Sequence, residues 1–216
     1  MITFYYGSGS PYSWRIWLAL EHKQIPYDQK VVSFANKDLE KPEFAALNPR
    51  RKVPVIVDDG FTMYESAVII EYLEDRYPHS GRALFSSDVK QRAVARRLIR
   101  EVDQYLAPIV ETLVAEIFFK ERSQWNEDVI RASRKDFLAE LAFWERHTAT
   151  DPASGRAADA VDFTLYPVLA LALRLERPKP DLGLRSLVGP KLSAWMSRVE
   201  ALPYFAQTIP PHWKER

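Results

Sequence analysis

The chain has 216 residues, of which 47% are hydrophobic and 7 are glycine, and this composition is typical of a folded globular protein. Its 30 basic and 29 acidic side chains give a net charge of +1, which provides no electrostatic basis for binding nucleic acid. It has no cysteine, which excludes disulfides, thiolate metal sites and cysteine nucleophiles. Any thiol chemistry therefore has to use a thiol that a ligand supplies.

No run of apolar residues approaches the ~18 that a membrane-spanning helix requires. The first residues lack the basic, apolar and small-residue regions of a signal peptide. The 4 histidines are scattered and do not have the spacing of metal ligands. We therefore expect a cytoplasmic protein without a structural metal, which binds neither nucleic acid nor a membrane.

Strand and helix signals alternate over residues 1–78. Runs of β-branched and aromatic residues predict the strands, and apolar residues at helical spacing predict the helices. Two of the strand runs flank Asp59-Gly60, which is a strong signal for a β-hairpin. In chain order, the predicted elements are a strand at 2–6, a helix at 12–22, a strand at 27–34, a short helix at 41–47, strands at 53–57 and 61–63, and a helix at 66–77.

Beyond residue 78 the strand signals fade and long helical patterns replace them. Residues 79–87, with Ser and Gly around Leu84-Phe85, predict a linker. The helical patterns that follow lie at about 88–120, 125–149, 160–176 and 189–201. Long helices joined by short polar breaks are typical of a bundle. We therefore predict an α/β domain at 1–78 with a mixed four-stranded sheet, and an all-α domain at 88–216.

Ser10-Pro11-Tyr12-Ser13 opens the first predicted helix directly after the first strand. In a thioredoxin-like fold this corner normally holds a Cys-x-x-Cys pair, and here hydroxyls replace both sulfurs. At a helix N-terminus, free amides and the dipole favour negative charge, so the Ser10 hydroxyl is suited to donate to a bound thiolate. Lowering a thiol pKa by two units requires about 2.7 kcal/mol, which these groups can supply together. The alternatives are that Ser10 is only an N-cap, or that Ser8 or Tyr6 activates the thiol.

Two further segments are candidates for binding a peptide-like ligand at the same corner. A cis Val53-Pro54 bond would turn the backbone groups of Val53 toward a ligand, although the dipeptide alone favours trans. Ser66 is placed as the N-cap of the helix at 66–77, where its hydroxyl and the following amides suit a carboxylate, and Glu65 suits an ammonium group. An α-amino acid terminus carries both charges. The alternative is an ordinary serine cap beside a solvated glutamate.

For two other sets of charged residues, the default interpretation is a structural role and not a binding role. A basic cluster follows the second strand and consists of Lys37, Lys41, Arg51 and Lys52. We interpret it as a solvated loop, of which one member could bind a ligand carboxylate. Asp159 and Asp162 resemble a capping box at the start of the helix at 160–176, which is a folding signal.

The order and spacing of these motifs resemble those of the cytosolic glutathione S-transferase superfamily over essentially the whole chain. The resemblance is most specific between residues 5 and 77, where its motifs lie at 10–15 (Ser-Pro-Tyr-Ser-Trp-Arg), 48–54 (Asn-Pro to Val-Pro) and 65–73 (Glu-Ser to Tyr-Leu). Serine at position 10 is similar to the theta and zeta branches and to related bacterial enzymes. The Ser-Trp-Arg segment at 13–15 is similar to zeta enzymes, which isomerise maleylacetoacetate, but the residues before it differ from the zeta pattern.

The resemblance implies that glutathione is the cosubstrate and that Ser10 stabilises its thiolate. It also implies that Val53 pairs with the cysteinyl part of glutathione, that Glu65 and Ser66 hold the γ-glutamyl end, and that Lys52 assists. A small hydrophobic electrophile would bind between the thioredoxin-like domain and the helical domain of a homodimer. We predict a glutathione transferase; the alternatives are a zeta-like maleylacetoacetate isomerase and a non-catalytic binding protein of the same fold.

Overall fold

A mixed four-stranded sheet forms the centre of the N-terminal part in the computed structural model, which describes residues 1–147 and 158–214. The strands are β1 (Ile2–Tyr6), β2 (Tyr27–Val31), β3 (Val55–Asp58) and β4 (Phe61–Tyr64). Their order is β2-β1-β3-β4, with β1 parallel to β2 and antiparallel to β3, and β3 antiparallel to β4. The predicted mixed sheet is confirmed.

Two strands are shorter than the sequence predicts. β2 ends at Val31 instead of residue 34, because its partner β1 ends at Tyr6 and the last bond between them runs from the Val32 amide to the Tyr6 carbonyl. β3 begins after Pro54, whose nitrogen has no hydrogen to donate to a neighbouring strand. The first difference comes from the length of the partner strand, and the second from the missing backbone donor of proline. The pattern of side chains predicts neither.

Three α-helices cover the sheet. They are α1 (Pro11–His22), α2 (Pro42–Leu47) and α3 (Ser66–Arg76), and a 3-10 turn, Asp38–Glu40, precedes α2. Most residues of α1 are buried, as its apolar circumference predicts. The helix packs against α3 on one side and against the helical part of the chain on the other.

The remainder of the described chain is helical, which confirms the predicted fold class. Its helices are α4 (Val89–Glu101), α5 (Ala107–Ile117), α6 (Glu127–His147), α7 (Ala160–Arg174), α8 (Pro190–Glu200), α9 (Phe205–Thr208) and α10 (Pro211–Lys214). A π-helical turn, Val102–Leu106, joins α4 to α5, so the pattern predicted at 88–120 is one continuous helix with a widened turn. Residues 148 and 149 of the helical pattern predicted at 125–149 lie outside the described residues.

The capping box predicted at the start of α7 is present. Asp159 accepts from the amides of Val161 (2.9 Å) and Asp162 (3.3 Å), and the Asp162 carboxylate accepts from the Asp159 amide (2.8 Å). Asp162 also accepts from the indole nitrogen of Trp195 on α8, at 2.7 Å. The box therefore starts the central helix and joins it to α8, and α7 packs along α1.

The segment between the sheet and the helices is fixed to the C-terminal end of α1. Lys23 is fully buried and forms an ion pair with Glu74 at 2.7 Å, and Glu74 also accepts from the Leu84 amide at 3.1 Å. Gly81 has φ of +53°, and a Cβ there would lie 2.5 Å from the Lys23 carbonyl oxygen. The segment therefore has no room for a side chain at this position. The division of the chain into a domain at 1–78, a linker at 79–87 and a domain at 88–216 stays a prediction.

Gly81→Ala is expected to lower the free energy of unfolding by about 2–5 kcal/mol, because it adds a backbone clash to the cost of a left-handed residue. Gly60→Ala is the matched control, since Gly60 has φ of +89° but no atom within 4 Å of the added Cβ. It should cost about 1–2 kcal/mol, from the left-handed conformation alone. Urea denaturation measures both values. Equal losses would show that the close approach at Gly81 contributes nothing.

Candidate active site

The predicted site residues converge because three strand ends meet at one edge of the sheet. Tyr5 of β1 is paired with Val55 of β3, and Val55 is paired with Tyr64 of β4. Since β1 and β4 both run antiparallel to β3, they end at the edge where β3 begins. The positions that follow β1, precede β3 and follow β4 are therefore neighbours. These positions hold Ser10, Val53, Glu65 and Ser66.

Ser10 is the N-cap of α1, with φ of −70° and ψ of 122°, and Pro11 is the first helical residue. Its Oγ accepts a hydrogen bond from the Ser13 amide at 3.3 Å. This bond uses a lone pair of the oxygen, so the hydroxyl proton remains available for donation. The cap and the proposed thiolate contact are therefore compatible functions of one hydroxyl. The role of Ser10 toward a thiol stays a prediction.

The two alternative hydroxyls have other surroundings. Ser8 Oγ lies 2.7 Å from Nδ1 of His212 and forms a hydrogen bond with it. Tyr6 is only 4% exposed, and its ring contacts Phe4 and Trp17 on the core side of β1. Burial raises the pKa of Tyr6, so its hydroxyl stays protonated near neutral pH and cannot act as a base toward a thiol. Both residues are therefore weaker candidates than Ser10.

The Val53-Pro54 bond is cis, which corrects the trans bond that the dipeptide alone favours. The trans form of an X-Pro bond is preferred by only about 0.5–1 kcal/mol, so the surrounding fold decides the isomer. The Val53 side chain lies close to Gly7: its Cγ2 is 2.9 Å from the position of a Cβ on that glycine. In the described part of the chain, neither the amide nor the carbonyl of Val53 has a hydrogen-bond partner.

Asn48 holds the loop that leads to Val53, a role that its place in the sequence did not predict. The residue is 2% exposed, and its Nδ2 donates to the Lys52 carbonyl at 2.7 Å, while its Oδ1 accepts from the Arg50 amide at 2.9 Å. A buried asparagine before proline needs partners for its amide, and this was the signal available in the sequence. The side chain of Lys52 is exposed beside the site. In the same basic cluster, Lys41 is bonded to Asp38 at 2.6 Å.

Glu65, and not Ser66, occupies the N-cap position of α3, so the predicted N-cap is wrong by one residue. Glu65 is exposed and has φ of +71° and ψ of 101°, a conformation that costs a non-glycine residue about 1–3 kcal/mol. Such strain is found most often where function requires it. Ser66 is the first helical residue, and its hydroxyl accepts a hydrogen bond from α1.

Arg15 is the partner of Ser66, a contact that the sequence did not predict. Its guanidinium is 1% exposed and donates from Nη1 to the Ser66 Oγ at 3.0 Å. It also forms a two-point ion pair with Asp103 of the π-helical turn, with Nη1 3.2 Å from Oδ2. An arginine within a buried apolar helix requires a carboxylate partner, which was the signal in the sequence. Arg15 thus ties the start of α3 to the helical part.

A second polar contact joins α1 to the helical part next to the site. The hydroxyl of Tyr12 donates to Oε1 of Glu111 on α5 at 2.7 Å. Burial, and then the hydrogen bond to Glu111, raise the pKa of Tyr12 above its ordinary value. Tyr12 is therefore neutral near neutral pH and acts as a hydrogen-bond donor.

A cavity of about 540 Å³ lies next to Trp14, between α7, α8 and the C-terminal segment. Trp14, Phe205 and Trp213 supply part of its apolar wall. Its charged side chains are Arg174, Arg177, Arg185, Glu176 and Glu200, with arginine in excess. Trp14 also borders the small void behind the Ser10 loop, so the cavity and that loop are neighbours.

Within residues 1–147 and 158–214, no group of three or more histidine or carboxylate side chains is arranged to hold a metal ion. Over the same residues, no helix is both long enough and apolar enough to cross a membrane.

Comparison with known proteins identifies the family. The family model described as "Glutathione S-transferase, N-terminal domain" matches residues 9–76. The glutathione S-transferase hmp2 of Hypomyces subiculosus is 32% identical over 149 residues, which cover 67% of this chain and 69% of that protein. A probable maleylacetoacetate isomerase of Vibrio cholerae is 28% identical over 215 residues, which cover 95% of this chain and 93% of the relative.

The fold of the chain also matches solved structures. A glutathione transferase family member from Pseudomonas fluorescens pf-5, crystallised with two glutathione bound, superposes with a TM-score of 0.84 at 18% identity. The superposition covers 97% of this chain and 92% of the other. At this identity the likeness shows the fold alone, and the sequence relationship to hmp2 shows the family. The chain belongs to the glutathione transferase superfamily.

Arg15→Gln is expected to lower the free energy of unfolding by about 2–4 kcal/mol, because it leaves the partly buried Asp103 without its counter-charge. Arg131→Gln is the matched control, since its ion pair with Asp128 is largely exposed and should contribute almost nothing. Chemical denaturation of both variants measures the difference. A loss for Arg15→Gln no greater than that of the control would mean that the pair does not join the two halves.

Proposed function

We propose that this protein catalyses the attack of glutathione on a small hydrophobic electrophile, with Ser10 stabilising the glutathione thiolate. The observation that carries the proposal is the position of the Ser10 hydroxyl at the N-terminus of a buried helix, where its lone pair caps the helix and its proton is free to donate. The free amides of that helix end favour a negative charge at the same place. A charge-assisted hydrogen bond there lowers the pKa of the thiol.

The neighbouring groups match the rest of a glutathione molecule. The unpaired amide and carbonyl of Val53 suit the peptide groups of its cysteinyl residue. The exposed Glu65 suits the ammonium of the γ-glutamyl end. Ser66 already accepts from Arg15, so its hydroxyl proton is available to the γ-glutamyl carboxylate, together with the first amides of α3. Lys52 supplies a cation beside Val53.

In this reaction glutathione is itself the nucleophile. Its sulfur electron pair forms the new bond to the electrophilic carbon, and the displaced group leaves with the electrons of the bond that breaks. No covalent intermediate with the protein is required, so the protein contributes thiolate stabilisation and orientation. We propose that residues 1–78 bind glutathione, that residues 88–216 supply the wall for the electrophile, and that the chain forms a homodimer.

Ser10→Ala is expected to lower the rate of conjugation more than tenfold while the fold persists. Two matched variants separate the donor from the cap. Ser10→Thr keeps both functions and should retain most of the activity, whereas Ser10→Asp keeps the cap but has no proton to donate. Initial rates and the ultraviolet absorbance of bound thiolate are measured for each.

The outcomes distinguish the possible roles. An active Ser10→Asp variant would mean that the hydroxyl only caps the helix. Wild-type rates in Ser10→Ala would assign the thiol to another group. Failure of the unmodified protein to bind glutathione, or to show thiolate absorbance, would favour the non-catalytic alternative.

The second candidate function is isomerisation of a maleyl-type diketone, and the excess of arginine in the cavity beside Trp14 favours it. Guanidinium groups are the preferred partners of carboxylates, and a maleyl-type diketone carries carboxylates. The full-length similarity to a probable maleylacetoacetate isomerase also supports this candidate.

The two candidates are separated by assaying both the diketone and a neutral aromatic halide. Arg177→Gln is expected to slow the reaction of the anionic substrate about tenfold or more and to leave the neutral one nearly unchanged, because Arg177 lines the cavity and a charged hydrogen bond is lost only with the first substrate. Glutamine removes the charge of the arginine while it keeps much of the size and polarity of the side chain. Equal changes with both substrates would remove the cavity arginines from substrate recognition.

A further inference from the structure

The C-terminal segment, residues 209–214, lies against the loop that carries Ser10. Pro210 borders the small void behind residues 7–10. The ring of Trp213 packs edge-on against Trp14 with centroids 5.2 Å apart, and the guanidinium of Arg174 lies 4.7 Å from the Trp213 centroid. Arg174 also donates to the His212 carbonyl at 3.5 Å. The segment is therefore held at several points beside the loop.

His212 makes the most direct contact with this loop. Its Nδ1 lies 2.7 Å from Ser8 Oγ. Its Cε1 lies 2.8 Å from the position that a Cβ on Gly9 would occupy, and Gly9 has φ of +86°. Because a hydroxyl can both donate and accept, this bond forms with either tautomer of the imidazole. The imidazole therefore bonds to one residue of the loop and packs against the residue directly before Ser10.

We propose that His212 is a positioning residue for the thiol site: it holds Ser8 and Gly9 so that the Ser10 hydroxyl faces the glutathione sulfur. This inference rests on the proposed function of Ser10. The loop needs such support because Gly7 and Gly9 give its backbone more freedom than other residues would. A small displacement of a catalytic group lowers the rate strongly.

The same contact explains which of the two hydroxyls meets the thiol. The hydrogen bond to His212 orients the Ser8 hydroxyl toward the C-terminal segment. Ser10, which follows Gly9 in the chain, instead accepts from the Ser13 amide in the first turn of α1. His212 acts through Ser8 and Gly9 and takes no proton from the sulfur; the thiol proton leaves to solvent.

The test compares His212→Ala with His212→Asn. The side-chain amide of asparagine places a polar atom near the position of Nδ1, so it can restore the bond to Ser8. His212→Ala is expected to lower kcat about fivefold, the effect of one lost hydrogen bond, and to raise the apparent pKa of bound glutathione. His212→Asn should recover most of both values. The thiol pKa is read from thiolate absorbance against pH, and melting temperatures of all variants are recorded.

A double-mutant cycle tests the same bond from the other side. Ser8→Ala should lower kcat in the same direction as His212→Ala, and the double variant should be no worse than His212→Ala alone, because the hydrogen bond is already absent from that variant. Additive losses would overturn the proposal, and so would an unchanged kcat and thiol pKa in His212→Ala. Equal impairment of His212→Ala and His212→Asn would also overturn it. Ser8→Ala keeps the test decisive if a His212 variant does not fold.

The experiment distinguishes this inference from the function on which it rests. Loss of activity in Ser10→Ala with full activity in His212→Ala would overturn only the positioning role. Absence of glutathione binding by the unmodified protein would overturn both.

Discussion

The burial of α1 is the constraint on which the rest of the structure depends. The helix lies between α3 and α7, and 9 of its 12 residues are buried. Its C-terminal end holds the Gly81 segment through the Lys23–Glu74 ion pair, and its N-terminal end carries Ser10. Ser10, Pro11 and Tyr12 at that end are half-buried, so water screens the helix amides less than at an exposed end and they act more strongly on a nearby negative charge. Packing and the proposed chemistry therefore depend on the same element.

Local patterns predicted the architecture well. The sheet, the helices α1 and α3, and the capping box of Asp159 follow from side-chain periodicity and from residues close in sequence. The contacts that complete the site could not be predicted in this way. Ser8 and His212 are 204 positions apart, and Arg15 and Asp103 are 88 apart. The helices α9 and α10 have 4 residues each, too few to show a period.

Two local preferences were overridden by tertiary contacts. The isomer of the Val53-Pro54 bond and the cap of α3 are each decided by about 1 kcal/mol locally, which is less than a few packing or hydrogen-bond contacts supply. At α3, the hydroxyl of Ser66 bonds to Arg15 instead of capping its own helix. The sequence pointed to both places but did not predict their conformations.

The shared guanidinium of Arg15 also has a thermodynamic consequence. One of its nitrogens contacts both Ser66, at the start of α3, and Asp103, in the helical half. A ligand that displaced Asp103 would therefore disturb the bond between Arg15 and the Ser66 hydroxyl, and so change the affinity of a second ligand bound by Ser66. By linkage, the second ligand must change the affinity of the first by the same factor. The positions of Asp103 and of the Ser66 hydroxyl are thus linked through a single side chain.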